Sequence, residues 1–213
     1  MGDQRRLRAV FIGDSITDAG YSSGVEPDLG AGYVRMIRDR DRDLGSRLDV
    51  SNAGVSGDRV VDLRARWSCD VVASRPDVLT VLVGINDTWR RYDSDDPTSS
   101  AEFARGYEEI LGSATAAGVG RILVATPFLV PVAPDQRRWR SEDLDEKIAV
   151  VVELAERFGS PLIPLHSVFD AAAAEVGATA LAEDGVHPTP RGHALIAEAW
   201  WRAFEVSTSP FPD

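Results

Sequence analysis

Five short apolar runs recur along the chain. Between them lie longer stretches in which apolar residues return every three or four positions. The runs Arg8–Ile12, Leu48–Ser51, Val78–Val83, Arg121–Thr126 and Pro161–Pro164 are rich in Val, Ile and Leu, as strands covered on both faces are. The intervening stretches are long enough for crossover helices. Gly32–Arg42 carries a moderate helical pattern, and Asp58–Ser74 holds Val61, Leu63, Ala65 and Trp67 among its apolar residues. Ser99–Ala117 is the clearest helix. Ser99 and Glu102 have capping-box spacing, Phe103, Tyr107, Ile110, Leu111 and Ala114 form one stripe, and Gly118 ends it. Ser141–Phe158 aligns Leu144, Ile148, Val151, Val152 and Ala155, and Arg191–Phe204 follows a proline, Pro190, suited to the first helical position.

Strand–helix alternation predicts an α/β fold: a parallel sheet with helices on both sides, in three layers. Five strands joined by right-handed crossovers suggest the flavodoxin-like order 2-1-3-4-5. No repeat or Pro/Gly linker divides the sequence, so residues 1–213 are expected to form a single domain. Tyr21–Gly30, Arg90–Thr98 and Pro127–Arg140 read as polar, turn-rich loops near the C-terminal ends of strands, which is where ligands bind in such sheets.

Composition narrows the partners. A formal net charge of -11 over 213 residues argues against nucleic acid and anionic membrane surfaces, and leaves a neutral ester or sugar substrate open. No apolar run reaches the length of a membrane span. Met1–Arg8 has no apolar core of a secretory signal, so a cytoplasmic location is expected. Cys69 is the one cysteine, which excludes an intrachain disulfide. Within a helical stretch it is expected to be a small buried hydrophobe. Nothing in the sequence specifies an oligomeric state.

Four blocks carry the candidate chemistry: Gly13-Asp14-Ser15, Asn52 to Asp58, Gly84-Ile85-Asn86-Asp87, and Asp184-Gly185-Val186-His187-Pro188. The first three follow predicted strands, and the fourth precedes the last helix. Ser15 falls where a strand turns into a helix, a place that suits a nucleophile whose attack creates an oxyanion. On its own it reads equally as a helix cap. A serine hydroxyl needs a base, and histidine is the usual base near neutral pH. Of the three histidines, His187 lies in a loop bounded by Gly185 and Pro188. His193 reads as a surface or packing residue of the last helix, and His166, after strand five, is a weaker alternative base. Asp184, three residues before His187, can reach the far ring nitrogen and fix its tautomer. Donors to an oxyanion are available from the Ser15 N–H, the Gly57 N–H and the Asn86 amide. Alone, Gly57 reads as a turn, Asn86 as a loop cap and Asp184 as a turn former. Their joint placement at neighbouring strand ends favours the catalytic reading. Asp14 and Asp87 read as structural carboxylates bonding loop backbone.

Ser15, Gly57, Asn86 and His187, in that order, resemble the SGNH hydrolases, also called the GDSL esterase/lipase family. The match runs roughly from Arg8 to Phe204. It implies the SGNH hydrolase fold, a triad of Ser15, Asp184 and His187, and an oxyanion hole of Ser15, Gly57 and Asn86. A finer resemblance is to small bacterial carboxylesterases, some acting on acetylated sugars. It rests on Gly13–Asp18, Gly32-Tyr33-Val34, Arg66-Trp67 and Gly84–Arg90. One departure is Ala53, where many of these relatives carry arginine.

The reading is thus a serine esterase that hydrolyses short-chain, acetyl-like esters, some of them of carbohydrates, with a small-molecule ester as substrate. No metal or cofactor is expected: no cluster has ligand spacing, and Gly54-x-x-Gly57 is too short for a dinucleotide fingerprint. Trp89, Arg90 and Phe128, with Leu129, are candidate walls of the substrate pocket, and Arg137, Arg138 and Arg140 read as a solvated face. Two methionines and modest aromatic content give no sign of a large lipid groove. An acyltransferase to a sugar or metabolite hydroxyl and a lysophospholipase or thioesterase are the alternatives. A non-catalytic binding protein on the same scaffold is the remaining one.

Overall fold

The computed structural model describes residues 5–20 and 29–206. Five parallel strands form its sheet: β1 (Leu7–Gly13), β2 (Leu48–Gly54), β3 (Val78–Leu82), β4 (Arg121–Ala125) and β5 (Leu162–Ile163). Their order is β2-β1-β3-β4-β5, the one expected from the alternation of runs and helices. β1 thus stands between β2 and β3, with Gly13 level with Gly54 on one side and Leu82 on the other. The direction in which successive strands are laid down reverses at this switch point, which opens a crevice at the C-terminal strand ends.

The period-two alternation of side chains sends each central strand into two cores. Ala9, Phe11, Leu82 and Leu123 face one layer, and Val10, Ile12, Val81 and Val124 face the other. The first layer is covered by α2 (Tyr33–Asp43), α8 (Leu165–Val176) and α9 (Pro190–Val206), the second by α3 (Val60–Trp67), α5 (Ser100–Ala116) and α7 (Asp145–Arg157). α9 is the heaviest contributor. Trp200, Trp201 and Phe204 pack as an aromatic trio, and the Trp200 indole N–H donates to Thr80 Oγ1 at 2.8 Å, pinning the helix to the sheet centre. The capping box of α5 forms as its spacing requires, with Ser99 accepting from the Glu102 N–H and Glu102 from the Ser99 N–H.

Several elements differ from the sequence expectations. Residues 90–93, read as loop, belong to α4 (Ile85–Asp93), which buries only its first turn and leaves its polar remainder near the surface. Pro127–Arg140 contains α6 (Gln136–Trp139), which runs through a π turn (Arg140–Leu144) into α7. α8 was not anticipated; its Ala171–Ala174 run carries no stripe, and Leu165 and Phe169 alone are fully buried on it. Cys69 is exposed rather than buried. α3 continues into a π turn (Ser68–Val72) that points Trp67 and Val71 inward, so Cys69, midway between them, faces out. Most of the Tyr21–Gly30 loop lies outside the described residues.

Candidate active site

The four blocks converge at the C-terminal ends of β1, β2 and β3. After Gly13 the chain turns at Asp14, whose carboxylate caps α1 (Ser15–Asp18) by accepting the Ile16 N–H at 3.0 Å. Ser15 is therefore the first helical residue, and its neighbour is the cap. The turn is held from β2: Asn52 donates its amide to Thr17 O at 2.8 Å and Leu29 O at 3.0 Å, and its oxygen accepts the Gly54 N–H. Gly54 is required here, since a Cβ would lie 2.2 Å from the Asp18 nitrogen.

Ser15 Oγ lies 2.9 Å from His187 Nε2, and His187 Nδ1 lies 2.6 Å from Asp184 Oδ2. The other Asp184 oxygen accepts the backbone N–H groups of Val186 and His187 at 2.9 and 2.7 Å. Burial pushes the Asp184 carboxyl up, but the hydrogen bonds from the His187 ring and from these two amides outweigh it and hold the group below the usual carboxylate range. An ionised Asp184 places the imidazole proton on Nδ1 and leaves Nε2 free to accept from serine.

The loop carrying Asp184 and His187 is itself stapled. Gln136, buried at the start of α6, donates from Nε2 to Asp184 O at 2.7 Å, while its Oε1 accepts the N–H groups of Val132 and Ala133 at 2.8 and 3.1 Å. The Val130 N–H donates to Gly185 O at 2.9 Å. The sequence reading missed Gln136, which no local pattern marks.

In the loop after β2, Gly57 has φ +90° and nothing but Arg90 Nη2, at 3.9 Å, near the space a side chain would fill. Neither the Ser15 N–H nor the Gly57 N–H donates to any group among the described residues. Asn86, buried in the first turn of α4, gives one amide hydrogen to Asp58 O at 3.0 Å, and its second remains for another acceptor. The Ser15 and Gly57 N–H groups and the second Asn86 hydrogen are thus open donors of the kind that stabilise a developing oxyanion.

Two buried carboxylates support this floor. Asp14 is pushed up to about 7, first by burial and then by the nearby charges of Asp87 and Asp58, against the pull of the Ile16 N–H. Asp87 is pushed up to about 6 by burial, opposed by the Val60 N–H and by the charge of Lys147. Of the other histidines, His193 is a packing residue. It is buried, accepts the Tyr33 N–H, and is lowered to about 4 by burial and then by the charge of His187. His166 sits apart, its Nδ1 2.9 Å from Thr126 Oγ1, and is lowered by burial and by Arg140.

The candidate pocket walls divide. Trp89 is half-buried with its ring centroid 5.9 Å from that of His187, and it packs on Trp139. Arg90 pairs with Asp93 and reaches over Gly57. Phe128 is different: it is fully buried, stacked on Phe169 at 3.8 Å, so it packs the core instead of lining a pocket, and Leu129 is buried likewise. Arg138 and Arg140 are held in ion pairs with Glu142 and Asp170.

A model of the GDSL-like lipase/acylhydrolase family matches residues 11–195. The chain belongs to this family. It is 35% identical over 206 residues to an acetylxylan esterase of Geobacillus stearothermophilus, covering 92% of each chain. A crystal structure of that organism's acetylxylan esterase superposes with a TM-score of 0.84 at 31% identity, covering 92% of this chain and 93% of the other. A GDSL-like lipase from Parabacteroides merdae superposes with a TM-score of 0.89 at 28% identity over 95% and 97% of the two chains. An α/β hydrolase from the Lake Arreo metagenome gives 0.86 at 31% identity, with coverage of 95% and 97%. The chain is a carboxylic ester hydrolase of the GDSL type. No helix among the described residues is long and apolar enough to cross a membrane.

Proposed function

We propose that this hydrolase removes short acyl groups, acetyl above all, from the hydroxyls of carbohydrates, through an acyl-enzyme on Ser15. The observation that carries the mechanism is the unbroken chain from Ser15 Oγ through both His187 nitrogens to Asp184. Ser15 Oγ attacks the ester carbonyl as its proton passes to His187 Nε2. The carbonyl oxygen becomes an oxyanion held by the Ser15 and Gly57 N–H groups and the free Asn86 hydrogen. Collapse breaks the bond to the alcohol oxygen, which takes the proton from His187 and leaves. Water then gives a proton to His187 and its oxygen to the acyl carbon. The second collapse releases the acid and returns the proton to Ser15. Asp184 steadies the imidazolium in both halves.

The acetyl and carbohydrate parts of the reading draw on the similarity to the acetylxylan esterase and on Trp89 beside His187. An indole face next to the acyl site suits a sugar ring, and Arg90 gives that side polar donors. The test pairs a fluorophosphonate probe with acetate release. Ser15 carries the adduct, located by mass spectrometry, and Ser15→Ala loses it. Acetylated xylooligosaccharides are cleaved faster than octanoyl esters, and Trp89→Ala raises KM for the sugar esters more than for a small acetyl ester. Labelling at another residue refutes the triad, preference for long acyl chains refutes the acetyl reading, and transfer of acetate to an added alcohol in place of water refutes hydrolysis.

A further inference from the structure

Arg66 belongs to the Arg66-Trp67 pair that stood out in the sequence, and the chemistry of the triad makes no use of it. It lies near the end of α3, outside every block, yet its guanidinium reaches the segments at the ends of β1 and β2 at once. Nε donates to Asp58 Oδ2 at 2.7 Å, Nη1 to Ala53 O at 2.8 Å, and Nη2 to Gly13 O at 3.1 Å. Nη1 is also paired with Asp70, one helical turn on. The side chain is 19% exposed, so these bonds are partly shielded from water.

Two of these anchors, Gly13 and Asp58, lead to the three oxyanion donors. Gly13 is two residues before Ser15, and its carbonyl also accepts the Val55 N–H, which ties β1 to the loop after β2. Asp58 follows Gly57 directly, so fixing its carboxylate restrains the backbone on the C-terminal side of Gly57. The carbonyl of Asp58 is the acceptor that orients Asn86. A planar fork of five N–H donors can hold several acceptors in fixed mutual directions, which an ammonium cannot. The Asp58 carboxyl, pushed up by burial, is drawn back toward its charged form by this same arginine.

We propose that Arg66 is the positioning residue of the oxyanion hole: it sets the relative placement of the Ser15, Gly57 and Asn86 donors without touching substrate. The inference rests on the proposed roles of those three groups. It predicts a loss confined to the transition state. Misplacing oxyanion donors costs on the order of 10–100-fold, somewhat less than deleting one, and ground-state binding is spared.

The experiment compares wild type, Ser15→Ala, Arg66→Lys, Arg66→Met and Arg64→Met. Arg64 is an exposed neighbour on α3 paired with Glu109 and serves as the control. Folding is checked by thermal melting. For a small acetyl ester, Arg66→Lys is expected to lower kcat on the order of tenfold or more with KM within about threefold. Affinity for a boronic acid, whose tetrahedral adduct places an oxyanion in the hole, falls by the same factor as kcat/KM. Arg64→Met changes neither. Amide hydrogen exchange of the segments around Gly13–Ser15 and Ala53–Asp58 quickens in Arg66→Lys. Should Arg66→Met fail to fold, Arg66→Lys alone decides. Full activity and unchanged boronate affinity in folded Arg66→Lys overturn the proposal, as does a rise in KM at constant kcat. An inert wild type that Ser15→Ala leaves unchanged refutes the esterase reading instead. In that case unaltered exchange at the two segments still overturns the anchoring role of Arg66.

Discussion

Asp14→Asn should stabilise the protein increasingly as pH rises. Asp14 is fully buried beside the nucleophile, and burial, followed by the charges of Asp87 and Asp58, pushes its carboxyl up to about 7. In the unfolded chain it titrates at about 3.9. Between these values the native state binds more protons than the unfolded state, so the unfolding free energy of wild type falls as pH climbs from about 4 to about 7. Three pH units at about 1.4 kcal/mol each give a ceiling of about 4 kcal/mol, and structural relaxation lowers the realised figure to about 2–3 kcal/mol. Asparagine keeps the oxygen that accepts the Ile16 N–H at 3.0 Å but never ionises, so it escapes this cost. Asp87, whose own rise to about 6 acts with the same sign over a narrower window, is present in both proteins and drops out of the comparison. Urea unfolding followed by tryptophan fluorescence at pH 4.5, 6 and 8, at one ionic strength, measures the difference between variant and wild type. The expected difference grows from pH 4.5 to 8 in favour of the variant. A difference that does not change with pH, or one that turns against asparagine as pH rises, refutes the claim that Asp14 is a buried carboxyl ionised at a cost.

Two further substitutions separate the halves of the site. Asn86→Ala removes the one side-chain donor to the oxyanion and should lower kcat about 10²–10³-fold with little change in KM; a loss below about fivefold in steady-state assays excludes Asn86 from the hole. Gln136→Met strands the Asp184 carbonyl and the Val132 and Ala133 N–H groups, each costing about 1–3 kcal/mol if left buried and unpaired. Chemical unfolding should show a loss of about 2–4 kcal/mol, and the loosened Asp184–His187 loop should lower kcat roughly tenfold. Unchanged stability shows that the staple is dispensable.

What could be read from the sequence divides along a physical line. The strands were legible because each is covered on both faces, and a doubly covered strand is an apolar run whatever its neighbours are. Ser15, Gly57 and Asn86 could be picked out because each follows the break of such a run, and Asp184 and His187 because they share a short turn before the last helix. α8 was not legible, since a helix that buries only Leu165 and Phe169 among alanines has no stripe to show. The misplacement of Phe128 has a related cause. Its position after β4 suggested a pocket wall, but α8, which supplies Phe169, closes over it. Gln136, and the part played by Arg66 within its Arg-Trp pair, were opaque for a stronger reason. Gln136 acts on a carbonyl 48 residues away and Arg66 on one 53 residues away, and both bond backbone groups, which every residue type presents alike. A serine–histidine pair advertises itself through side-chain identity at both ends. A side chain that orients backbone advertises only one end, so its role emerges only once the fold has put that backbone within reach. The groups assigned to the chemistry can therefore be named from local pattern, while those proposed to aim them are found only in three dimensions.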